Sequence, residues 1–177
     1  RKDPEASVSF YVEQGFPADG VIEYLMTLAN SNFEDWRKAN PTLDKYSFPF
    51  SFKKMSSSGA LFDILKLNDI CKNIVSLMTA DQVYENTVTW AKTYDEELYD
   101  LFTADPSYAK AILNIDRETP KPRKDIITWS DVKGYVSYMY DSLYVNEAAL
   151  PENIKAEDAK AIIDAYKNVF DENDDKD

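Results

Sequence analysis

The run Lys53-Lys54-Met55-Ser56-Ser57-Ser58-Gly59 gathers ammonium and hydroxyl donors in one short stretch. At a nucleoside triphosphate such a loop would supply mobile positive charge where negative charge accumulates. On a nucleic acid the same groups would bond backbone oxygens without reading sequence. The plainer use is a solvated turn, because Gly59-Ala60-Leu61-Phe62-Asp63 leads at once into a helical pattern. A second concentration, Thr119-Pro120-Lys121-Pro122-Arg123-Lys124, carries its cations with no acid among them. Its prolines forbid a helix and favour an extended loop suited to following a phosphate backbone, and arginine offers bidentate phosphate contact. These cations could instead pair with Asp116, Glu118, Asp125 or Asp131 and contribute little.

The composition limits what else the chain can do. It has no histidine and a single cysteine, Cys71, so a histidine base, a histidine-containing zinc site and an internal disulfide are excluded. Cys71 lies among apolar neighbours, Ile70 and Ile74, and reads as a small core residue. No acid pair stands at a metal-binding spacing. A net charge of −12 argues against indiscriminate nucleic-acid binding and against DNA as a partner; any nucleic acid must be met by local basic patches. No stretch approaches the roughly 20 apolar residues of a membrane span, and the charged N-terminus lacks the apolar region of a signal peptide. The expectation is a cytoplasmic protein without a membrane partner.

These sites must be positioned by helices. Of 177 residues 44% are apolar and only 4 are glycine, which favours an all-α fold. Residues 1–16 are polar, and the start at Arg1-Lys2-Asp3-Pro4 reads as that of a fragment. Apolar residues from Val21 to Ala29 predict a helix between Pro17 and Asn30. A short helix over Asn32 to Ala39 stops before Pro41. The string Tyr46, Phe48, Phe50 and Phe52 has a two-residue period broken by Pro49, an extended segment that cannot be a central strand. Helical spacing resumes from Leu61 to Leu77. Thr79-Ala80-Asp81-Gln82 has capping-box form and opens a helix reaching about Thr93. Asp95 and Asp105-Pro106 start helices near 96–103 and 106–115. Helices from about Ser130 to Leu143 and Ala156 to Phe170 follow. Trp90, Trp129, Tyr135, Tyr138, Tyr140 and Tyr144 read as helix-packing residues, with base stacking as the alternative.

Several segments together resemble bacterial glutamyl-tRNA synthetases, the clostridial type in particular. They are Arg1-Lys2-Asp3-Pro4-Glu5-Ala6-Ser7-Val8; Gly15-Phe16-Pro17 with Ile22-Glu23-Tyr24-Leu25; Gly59-Ala60-Leu61-Phe62-Asp63 with Lys66-Leu67; and Lys121-Pro122-Arg123-Lys124-Asp125 with Trp129-Ser130-Asp131-Val132-Lys133. Lys54-Met55-Ser56-Ser57-Ser58 alone looks like the class I synthetase signature, but Ser57 stands in place of its second lysine. The family's ATP loop ends in Ser-Lys-Arg followed by a stretch similar to Lys2 through Val8. The resemblance therefore puts the catalytic loop just before residue 1, with Arg1 as its trailing residue.

The resemblance implies a stem-contact helical region over residues 1–78 and a first helical anticodon-binding subdomain over 79–177. It implies tRNA-Glu as partner, contacted through Lys53, Lys54, Ser56, Ser58, Lys121, Arg123, Lys124 and Lys133. ATP and magnesium would serve the intact enzyme, a glutamate–tRNA ligase. This chain would carry no catalytic residue, metal ligand or cofactor of its own, and would be a monomer. The alternative is a non-catalytic, acidic, helical protein-interaction module.

Overall fold

The computed structural model describes residues 4–55, 61–145 and 149–170. Every regular element among them is helical, with no strand. The chain divides into two compact units, Arg1–Leu143 and Tyr144–Asp177.

The larger unit opens with helix α1, Val8–Gln14, where the polar N-terminal sequence predicted none. Seven residues are too few for an amphipathic period to stand out, but the helix end is written in Gly15-Phe16. Gly15 takes φ 78°, its N–H bonds the Val12 carbonyl at 3.1 Å, and the Phe16 N–H bonds Tyr11 at 2.9 Å. This is the Schellman pattern, and Tyr11 and Phe16 add the apolar contact that goes with it, ring centroids 5.7 Å apart.

Helices α2, Ala18–Ala29, and α4, Ile64–Ser76, pack directly on each other. Their closest approach is at Gly20, where a Cβ would collide with the sulfur of Cys71. Tyr24, Leu67 and Cys71 form the centre of this cluster. The short α3, Phe33–Ala39, turns back beside α2. Arg37 fixes that turn: Nε and Nη2 bond the two oxygens of Glu23 at 3.0 and 2.6 Å, and Nη1 bonds the carbonyls of Asn40 and Leu43.

The aromatic string is not a single extended segment. Two short 3₁₀ turns, Lys45–Ser47 and Phe52–Lys54, interrupt it. Phe48 turns inward and meets Phe33 and Trp36 edge-on at 5.1 and 5.5 Å, whereas Tyr46, Phe50 and Phe52 face outward.

A second cluster is built by α5, Ala80–Tyr94, α6, Glu96–Ala104, and α7, Pro106–Leu113. Each begins as its sequence predicts. Thr79 and Gln82 exchange both capping-box bonds, Asp95 accepts from the Leu98 N–H, and Asp105 accepts from the Tyr108 N–H with Pro106 in the first turn. The caps satisfy free N–H groups at the helix starts, and Val83, Leu98, Phe102 and Ala109 turn inward and are buried. Helix α8, Asp131–Val136, gives way to a 3₁₀ turn at Ser137–Met139 rather than running on to Leu143.

Two polar junctions tie the clusters together. The carbonyls at the end of α1 accept three distant donors: Trp90 Nε1 to Glu13 at 3.2 Å, Ser130 Oγ to Gln14 at 2.8 Å, and the Trp129 N–H to Gly15 at 2.8 Å. The half-buried Arg117 bonds the carbonyls of Val75 and Met78 after α4 and of Leu113 in α7. In the smaller unit, α9, Ala156–Lys167, has no buried residue and exposes Ile162, Ile163 and Tyr166, with Phe170 exposed just after it.

Candidate nucleic-acid interface

Lys53 and Lys54 occupy the 3₁₀ turn Phe52–Lys54, and both side chains are exposed. The turn is held from beneath. Asn30, fully buried at the end of α2, donates from Nδ2 to the Ser51 carbonyl at 2.8 Å, and the Lys54 N–H bonds the same carbonyl at 3.0 Å. With Phe48 seated between Phe33 and Trp36, the backbone is anchored on both sides of Phe50. Among the described residues no ion pair engages Lys53 or Lys54, so their charge faces solvent. Ser56 and Ser58, and Arg1, lie outside the described residues.

The second basic stretch has a different character. Lys121 is exposed and without an ion pair among the described residues, while Lys124 donates to Asn73 Oδ1 of α4 at 2.7 Å. Arg123 is engaged by two acids and a ring. Its Nε bonds Asp125 at 2.5 Å, Nη1 stands 4.0 Å from Asp116, and the guanidinium lies 5.5 Å from the centre of the Tyr135 ring. Lys133 is likewise consumed, 2.7 Å from Glu97 and 2.9 Å from Asp95, and those bonds, Glu97 first, push its pKa up. For Arg123 the pairing with Asp125 and Asp116 noted for the basic loop is what the geometry displays, whereas the acids that hold Lys133, Asp95 and Glu97, were not among those noted.

The six predicted contacts among the described residues are therefore not one surface. Lys53 and Lys54 belong to the segment packed on α2 and α3, and Lys121 to Lys124 to the loop beside α4. The outward turn of Phe50 and Phe52 was missed in the sequence. Its signal is Pro49, which breaks the alternation that would have put Phe48, Phe50 and Phe52 on one face.

Little else could do chemistry. Cys71 is fully buried and burial pushes its thiol up to about 12, leaving no thiolate at neutral pH. Among the described residues no group of three or more Cys, Asp or Glu is placed to hold a metal ion, and no helix is long and apolar enough to cross a membrane. A largely apolar concavity of about 510 Å³ between α1 and α2 is lined by Val8, Val12, Val21, Leu25 and Phe62, with Glu5, Ser7 and Tyr11 also in its wall. Lys53, Lys54 and Lys121 are exposed cations with no ion pair among the described residues.

The glutamate–tRNA ligase of Clostridium perfringens is 45% identical over 181 residues, covering 100% of this chain and 33% of its own. That of Clostridium beijerinckii is 47% identical, covering 96% of this chain and 32% of its own. The similarity to glutamate–tRNA ligases spans the whole chain. The ligase of Acetivibrio thermocellus follows at 42% over 99% of this chain. The chain thus spans about a third of the length of the glutamate–tRNA ligases it matches. No family model matches it, and no solved structure matches it significantly.

Proposed function

We propose that this chain is the tRNA-positioning part of a glutamate–tRNA ligase. The intact enzyme would activate glutamate with ATP and magnesium and transfer it to the 3′ end of tRNA-Glu. The observation that carries the reading is the full-length similarity to such ligases at 42–47% identity. Residues 1–78 then serve as the stem-contact region and 79–177 as the first helical anticodon-binding subdomain of a cytoplasmic monomer. The groups that activate glutamate are not among these residues. The chain's contribution is binding energy remote from the reacting atoms, spent on orienting the acceptor end for attack.

The exposed ammonium groups of Lys53, Lys54 and Lys121, which have no ion pair among the described residues, supply the phosphate contacts with Lys124, and Arg123 and Lys133 hold the frame. Titration of the chain with tRNA-Glu at several salt concentrations tests this. Four phosphate contacts predict that log affinity falls against log salt with a slope of about −3. A salt-independent or absent signal overturns direct tRNA binding.

One observation favours the second reading, an acidic helical interaction module: the exposed apolar side chains Ile162, Ile163, Tyr166 and Phe170 on and just after α9. That reading gains if tRNA fails to bind while a basic protein does.

A further inference from the structure

We propose that Phe50 and Phe52 form a stacking platform for an unpaired base of the RNA whose phosphates Lys53 and Lys54 hold. The inference rests on the tRNA-binding reading above and deepens it: the site takes a nucleotide with its base swung out of the helix, not a regular duplex backbone alone.

Phe52 is 83% exposed and Phe50 41%. Their rings meet edge-on, centroids 5.4 Å apart at 83°, so each braces the other while the Phe52 faces stay open. The exposure is not that of a loose loop, because Asn30 clamps the Ser51 carbonyl and Phe48 is buried two residues before Phe50. A rigid, uncovered aromatic face is what base stacking needs. The two lysines that follow Phe52 in the same 3₁₀ turn decide the occupant. An apolar protein surface would leave their charge unanswered, and a second copy of a chain with net charge −12 would be repelled as a whole. A nucleotide answers both features in one unit, a base with a π face and a phosphate one sugar away. Unpaired bases of folded RNA are commonly held in this way.

The test measures tRNA-Glu and polyphosphate binding to the full chain across a salt series, for the unmodified protein and for Phe52→Ala, Phe52→Leu, Phe52→Tyr and the pair Lys53→Ala with Lys54→Ala. Phe52→Ala should weaken tRNA binding about tenfold, the loss of one stacked base, with the salt slope and polyphosphate binding unchanged. Phe52→Leu, apolar but without a π face, should fail similarly, and Phe52→Tyr should bind as the unmodified chain does. The lysine pair should flatten the slope by about 1.5 and weaken binding of both polymers. Unchanged tRNA affinity in Phe52→Ala beside a weakened lysine variant overturns the platform and leaves the tRNA reading standing. An unmodified chain that binds no tRNA overturns both. Loss of polyphosphate binding in Phe52→Ala overturns the platform by showing that the ring only positions the lysines. A dimer that dissociates on Phe52→Ala overturns it by making a second copy the occupant.

Discussion

Phe102 and Phe52 are the same side chain in opposite settings. Phe102 is fully buried in α6 and stacks on Tyr84 of α5, centroids 6.0 Å apart at 7°, while Phe52 stands 83% exposed on its short turn. The difference follows from how each region satisfies its backbone. From Thr79 to Leu113 side-chain caps close the helix starts, so the helices can turn their apolar stripes inward. From Pro41 to Met55 the backbone is fixed by few anchors, Asn30, Phe48 and Arg37, and most side chains are left for something outside. One region supplies stability and the other supplies surface. The sharpest way to break that division is to truncate both phenylalanines. Phe102→Ala should cost about 3–5 kcal/mol in urea denaturation, from lost burial plus an unfilled cavity. Phe52→Ala should change stability by no more than about 0.5 kcal/mol. Equal losses would abolish the distinction.

Arg117 extends the comparison to cations. Its guanidinium donates to Val75 at 2.7 Å, Leu113 at 2.9 Å and Met78 at 3.1 Å, and burial pulls its pKa down. A cation there also suits the negative ends of α4 and α7. Arg117→Met keeps much of the apolar stem but strands those carbonyls, so thermal or chemical denaturation should register a loss of about 1–3 kcal/mol. Removing Lys53 and Lys54, whose side chains bond nothing comparable among the described residues, should leave the same measurement unmoved. Should Arg117→Met be neutral, the two clusters do not depend on this junction.

How much of this was legible in the sequence depended on whether the governing interaction was local. Thr79 with Gln82, Asp95, and Asp105-Pro106 act within one turn, and the structure starts its helices there. Helix α1 escaped because its end is stabilised by Trp90, Trp129 and Ser130, far along the chain, although Gly15-Phe16-Pro17 and Trp129-Ser130 were both singled out as recognisable segments. The helix predicted to reach Leu143 stops at Val136, and Ser137 Oγ bonds the Gly134 carbonyl at that point, the kind of side-chain competition that loosens a helix end. For the candidate site, sequence could name the cations but not their partners. Asp125, two residues from Arg123, was visible; Asp95 and Glu97, which hold Lys133, belong to another helix start and were not.

Lys133 therefore gives the smallest but most selective test. Its ammonium lies between Asp95, which also caps α6, and Glu97. Lys133→Met should lower stability by less than about 1 kcal/mol, since the pair is partly solvated and Glu97 is largely exposed. The sign with pH is fixed by the raised pKa: the contribution is fully present below the ordinary lysine pKa and fades as pH climbs through the folded value. At neutral pH tRNA affinity and its salt slope should not move, because a charge already answered by two carboxylates releases no counterion on binding. The lysine pair of the Phe52–Lys54 turn should show the reverse, binding lost and stability kept. If Lys133→Met weakens tRNA binding and the lysine pair does not, the exposed turn is not the interface, and the surface around α8 takes its place.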